Sequence, residues 1–109
     1  MSIRMADPFR FAFNDFLLDT RNRSLTRGGT AIDLNPRYFD ALALLVRVRG
    51  DLVGKQRFFE EVWGDTVVSD SALTQCIKEV RRALGDDAAN PRFIRTLPGH
   101  GYRFIAPVI

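Results

Sequence analysis

Ser71, Gln75, Lys78, Glu79 and Arg82 recur at spacings that place them on one face of a helix, with Thr74 and Arg81 on one flank. Serine, glutamine and glutamate can exchange hydrogen bonds with base edges. Lysine and arginine match phosphates. A face that combines the two suits the major groove of DNA. The plain alternative for Gln75, Lys78 and Arg82 is a solvated helix face. Glu79 repels phosphate, so it either helps choose the base or faces solvent. Arg81 lies nearer the apolar side, where it can bridge to a carboxylate or reach a phosphate.

The helix that carries these residues is predicted over 70–84. Leu73, Ile77, Val80 and Leu84 form its apolar stripe at intervals of four, three and four. Ser69 is a good N-cap, and Asp70 places negative charge where the helix dipole favours it. Gly85 follows the last apolar residue, where a left-handed cap is wanted.

Two helices must position this one. Asn35-Pro36 opens a helix over 36–49, with Asn as N-cap and Pro at the first turn. Tyr38, Phe39, Ala41, Leu42, Leu45 and Val46 form its broad apolar face, with Leu44 and Val48 on the other side, so it is covered on two sides. Gly50 stops it, and 51–54 reads as a short connection. A second helix over 55–63 packs through Phe58, Phe59, Val62 and Trp63. The turn 64–68 then leads into 70–84, which is the helix-turn-helix order.

Strand-like segments flank the helices. Upstream, 9–34 reads as a four-stranded antiparallel sheet. Phe9, Phe11 and Phe13 share one buried face, Phe16–Asp19 and Ser24–Arg27 follow, Gly28-Gly29 makes a hairpin turn, and 30–34 returns. Downstream, 93–105 reads as a hairpin around Pro98-Gly99-His100-Gly101. It carries Arg95, Thr96, His100, Tyr102 and Arg103, and a basic hairpin directly after a polar-faced helix is a wing. Residues 1–8 carry no pattern and read as a disordered tail, so the folded unit is expected over 9–107. The fold class is α+β: a winged helix-turn-helix with an N-terminal four-stranded antiparallel sheet, three helices and a C-terminal β-hairpin.

Composition bounds the function. The 109 residues make one domain, and a net charge of +3 is too modest to argue for nucleic acid without the placement of the charges. A single cysteine excludes an internal disulfide and a cysteine-based metal site. No apolar run is long enough to span a membrane, and the start lacks a secretory apolar core, so a cytoplasmic module is expected. Tethering beyond residue 109 stays open for a full-length protein. Cys76 is a small apolar filler. His100 sits between glycines, and the two lack the third group a nucleophilic pair needs, so no enzyme, cofactor, metal or small-molecule substrate is expected. A rival is a winged helix used for protein contacts, which requires an apolar patch on the outer face of 70–84. Trp63 and Tyr102 are packing residues with a polar atom that could also reach DNA.

The motifs Glu61-Val62-Trp63-Gly64, Val68-Ser69-Asp70-Ser71-Ala72-Leu73, Ile77-Lys78-Glu79-Val80-Arg81-Arg82-Ala83-Leu84-Gly85-Asp86 and the closing Ile94-Arg95-Thr96-Leu97-Pro98-Gly99-His100-Gly101-Tyr102-Arg103-Phe104 occur together. With them the chain resembles the OmpR/PhoB-type winged helix-turn-helix effector domain of bacterial transcription regulators over residues 9 to 106. The Asp70-Ser71-Ala72-Leu73-Thr74-Gln75 form is closer to the CadC/ToxR-like branch. The resemblance implies promoter binding without catalysis and a role in phosphorelay signal transduction. It also implies contact with RNA polymerase through 64–68; a second copy on the DNA is expected because one domain of 109 residues covers only a short half-site. Its DNA-facing positions fall on Ser71, Thr74, Gln75, Lys78, Glu79, Arg81 and Arg82, with Arg95, Thr96, His100 and Tyr102 on the wing. Arg103 is added as a phosphate contact. Glu79 stands where the PhoB-like branch has a base-reading arginine, and Pro98 where it has a minor-groove arginine.

Overall fold

The structure, a computed structural model, describes residues 8–109; all but the last residue of the tail expected over 1–8 lies outside these. Four antiparallel strands come first: β1 (Arg10–Phe13), β2 (Phe16–Asp19), β3 (Ser24–Arg27) and β4 (Thr30–Ala31), in that spatial order. Gly28 and Gly29 both have positive φ, 55° and 83°, as a tight hairpin turn between β3 and β4 requires. The Asp19 carboxylate closes the turn between β2 and β3 by accepting the backbone N–H groups of Arg21 and Asn22 at 3.0 and 2.9 Å.

Two expectations for this sheet are corrected. Phe9 does not share the buried face: it lies just before β1, exposed, while Phe11 and Phe13 are buried. Arg21 stacks on the Phe9 ring at 4.3 Å. The strand expected over 30–34 ends at Ala31. There the chain turns to place Asn35, whose side chain accepts from the backbone N–H of Arg37 and caps the first helix.

That helix, α1 (Pro36–Arg47), is buried at every position from Ala41 to Val46. It ends two residues short of the expected Arg49, because Gly50 takes φ 86° and turns its N–H to the carbonyl of Phe104. The connection expected over 51–54 contains a strand, β5 (Leu52–Val53). The second helix, α2 (Lys55–Phe58), widens into a π turn over Phe59–Trp63. The third, α3 (Asp70–Leu84), is followed by β6 (Ile94–Leu97) and β7 (Gly101–Phe104). These two strands pair with β5 in the order β5-β7-β6, so the wing is a three-stranded sheet rather than a lone hairpin. Phe93, expected to open the strand, lies just before it, and the Asp86 carboxylate holds its N–H together with those of Arg92 and Ile94.

The core lies between the two sheets and the helices. Phe13 stacks on Phe16 at 5.4 Å and meets Phe104 edge-on at 5.0 Å, which joins the first sheet to the wing. Such ring pairs each contribute about 0.5–1.5 kcal/mol beyond area burial. The stripe Leu73, Ile77, Val80 and Leu84 is at most 1% exposed, and α3 packs on α1 through it. The outer face of α3 is thereby fixed relative to the wing.

Candidate nucleic-acid interface

Local chemistry sets both ends of α3. Ser69 Oγ accepts from the backbone N–H of Ala72 at 3.2 Å, and Asp70 stands in the first turn. At the other end Gly85 adopts φ 69°, and the Asp86 N–H bonds the Arg81 carbonyl at 2.9 Å, a left-handed cap. Lys55 Nζ lies 2.9 Å from the Asp70 carboxylate, pinning the start of α2 to the start of α3. That partner raises the lysine's pKa above its ordinary value, so the charge is held.

An open groove of about 790 Å³ runs between α3 and the wing. Thr74, Lys78, Arg81 and Arg82 line its helix side, Thr96 and Tyr102 its wing side, and Asp86, Asp87 and Ala88 the loop between them. Gln75 and Glu79 lie outside it, Gln75 on the outer face of α3. Arg81 crosses the floor: Nη2 donates to the Ile94 carbonyl at 2.9 Å and to Thr96 Oγ1 at 2.8 Å. Of the two sequence readings for Arg81, the bridge to a carboxylate is replaced by a bridge to the wing. Among the described residues Lys78 has no ion-pair or hydrogen-bond partner.

The twelve residues singled out by sequence do not form one surface. Thr96 and Tyr102 point toward the helices, and the Tyr102 ring meets Phe58 edge-on at 5.8 Å. Arg95 and Arg103 are direct cross-strand partners on the opposite side of the wing, in a row with Leu52. No carboxylate pairs with either among the described residues. Like charges directly opposite destabilise a strand pair unless an anion comes between them. His100 is exposed at the hairpin tip, held by its backbone N–H on the Leu97 carbonyl at 2.9 Å.

The outer face of α3 has its own internal bonds. Gln75 Nε2 donates to Glu79 Oε1 at 3.1 Å, and Arg82 Nη1 lies 3.7 Å from the same oxygen. Thr74 Oγ1 donates to the Asp70 carbonyl at 3.2 Å, and the Ser71 and Ser69 hydroxyls lie 3.0 Å apart. Beneath this face Cys76 is buried, and burial pushes its thiol up to about 12, which leaves no nucleophilic thiolate at neutral pH. Among the described residues no group of three or more histidines, cysteines and carboxylates is arranged to hold a metal.

Sequence reasoning missed two residues that hold this site. Arg37 reaches from α1 to the Val62 carbonyl at 2.6 Å and Thr66 Oγ1 at 3.4 Å, steadying the turn before α3. Asp86 anchors the start of the wing as described above. Its sequence signal was an Asp directly after the capping Gly85.

A three-helix unit ending in a polar-faced helix, followed by a sheet with an exposed basic hairpin, is a winged helix-turn-helix domain. The family model described as "Transcriptional regulatory protein, C terminal" matches residues 29–104, and the chain belongs to this family, the OmpR/PhoB type. It is 38% identical to the transcriptional regulator HilA of Salmonella typhimurium over 100 residues, 92% of this chain and 18% of HilA. The chain therefore spans less than a fifth of that relative's length. Its fold matches the DNA-binding domain of Escherichia coli CadC with a TM-score of 0.79 at 28% identity, covering 92% of this chain and 94% of that one. It also matches the Klebsiella pneumoniae RstA DNA-binding domain, solved in complex with the RstA box. That TM-score is 0.79 at 27% identity, over 88% of this chain and 96% of that one.

Proposed function

We propose that this domain binds double-stranded promoter DNA sequence-specifically and regulates bacterial transcription. In this reading α3 enters the major groove, and the wing lies on the adjacent backbone or minor groove. The observation that carries it is the groove between α3 and the wing. It combines an unpaired Lys78 with Arg82 beside hydrogen-bonding side chains on the same helix. Lys78, Arg82, Arg95 and Arg103 supply phosphate contacts; Gln75, Ser71 and Glu79 choose bases; Thr74, Thr96, His100 and Tyr102 line the approach.

The rival reading, a surface for protein contacts, needs an apolar outer face on α3. Among the described residues the large exposed hydrophobics are Phe9, Leu52, Val67 and Ile109, and α3 carries none of them. The proposal extends to an output role in phosphorelay signalling without catalysis, and to a second copy on each operator. Val67, 97% exposed in the 64–68 turn, supports a polymerase contact there. No helix among the described residues is long and apolar enough to cross a membrane. We place the domain in the cytoplasm, whether or not the full-length protein is tethered.

Selection from random duplex DNA followed by anisotropy titration tests the reading. Neutralising about 4–6 phosphates per copy gives a slope of log affinity against log salt of about −4 to −5. Binding that does not respond to salt, or no enrichment of any sequence, overturns it.

A further inference from the structure

We infer that Glu79 locks Gln75 into a hydrogen-bond acceptor, so that this position of the operator is read through the amino group of an adenine or cytosine. The inference rests on the DNA-binding reading above. A carboxylate can only accept, so the side-chain group of Gln75 facing Glu79 Oε1 at 3.1 Å must be the amide nitrogen. The amide oxygen is then left free, with the second N–H beside it. Gln75 lies on the side of α3 opposite the buried stripe, whereas Glu79 is set back on the flank away from the wing and is half-buried.

The neighbours point the same way. Thr74 spends its hydroxyl proton on the Asp70 carbonyl, which leaves lone pairs outward. Arg82 is drawn to Glu79 and balances its charge beside the phosphates. The Gln75 oxygen and the Thr74 hydroxyl find their complement in adenine N6 and cytosine N4, the major-groove donors, and are repelled by guanine O6, thymine O4 and purine N7. A free glutamine reads adenine at N6 and N7 together. Here one of the two amide N–H groups is held by Glu79, which favours reading through the oxygen over reading N7.

The test begins with site selection by the wild-type domain and by Gln75→Ala, which marks the base pair that Gln75 reads. At that pair, an analogue lacking the amino group (purine for adenine, pyrimidin-2-one for cytosine) is compared with a 7-deazapurine. The wild type is expected to lose about 5- to 150-fold in affinity without the amino group. The 7-deaza change is expected to cost less than the amino deletion, because one of the two amide N–H groups is already held by Glu79. In Glu79→Ala the amide is free to turn, so the cost of the amino deletion falls and the two changes become comparable. A wild type that tolerates amino deletion but not the 7-deaza purine overturns the inference, as does a Glu79→Ala profile identical to wild type. If the wild type selects no sequence at all, it is the DNA-binding reading that falls.

Discussion

The guanidinium of Arg81 on α3 donates to Thr96 Oγ1 on β6 at 2.8 Å, and the same nitrogen donates to the Ile94 carbonyl. Helix and wing are therefore coupled through one side chain. Arg81→Ala is expected to lower stability by about 1–3 kcal/mol, the range for hydrogen bonds to charged groups and the partners they leave unpaired. It should weaken every duplex alike and leave sequence preference unchanged. Arg81→Lys, without the planar fork, should recover only part of the loss. Urea denaturation together with anisotropy on selected and scrambled duplexes reads both effects.

Lys78 is a charge with no internal partner, so its role in binding separates cleanly from folding. Lys78→Ala should leave unfolding unchanged within about 0.5 kcal/mol. The magnitude of the salt slope should drop by about 1, equally for all sequences. Titrations across a salt series check this.

Gly101 is required by a close approach. A Cβ there would lie 2.1 Å from the Val53 carbonyl oxygen, and its φ is 144°. Gly101→Ala should separate β5 from β7 and cost about 3 kcal/mol or more. Gly99→Ala provides the contrast: φ is 77° but nothing lies within 4 Å, so only the backbone strain of about 1–2 kcal/mol applies. Thermal unfolding of the two variants tests the ranking.

Backbone and side-chain N–H groups of Asn22 hold the Asp19 carboxyl below its ordinary value of 3.8. A carboxyl depressed in the folded state stabilises fully above the unfolded pKa and loses that contribution as pH falls through the folded one. Stability should therefore decline below about pH 4. Asp15, lowered mainly by its bond to Arg27, adds to the same acid limb. Asp19→Asn should flatten the decline, as followed by denaturant midpoints from neutral to acid pH.

The periodicity of α3, its Ser69 and Gly85 caps and the Asn35-Pro36 start of α1 were legible because each is a local pattern of side chains. The structure places α3 over the residues expected. The two-residue strand Leu52–Val53 was not legible, because it exists only through pairing with Arg103 and Tyr102 about fifty residues away. The site showed the same division. Membership of the polar face of α3 follows from spacing alone. That Thr96 and Tyr102 face the helices while Arg95 and Arg103 face away depends on strand register, which sequence alternation suggests only once both strands are placed. Arg81 was ambiguous because its partner is a carbonyl on a strand thirteen residues on.

The pairing of β5 with β7 also governs the thermodynamics of docking. A two-stranded hairpin is marginal in water, and a wing of that kind would have to be ordered by whatever it met. Anchored on a third strand that belongs to the link between α1 and α2, this wing is already paired before it meets a partner. Association then gives up little conformational entropy, and the encounter is limited by orientation and charge steering rather than by a folding step.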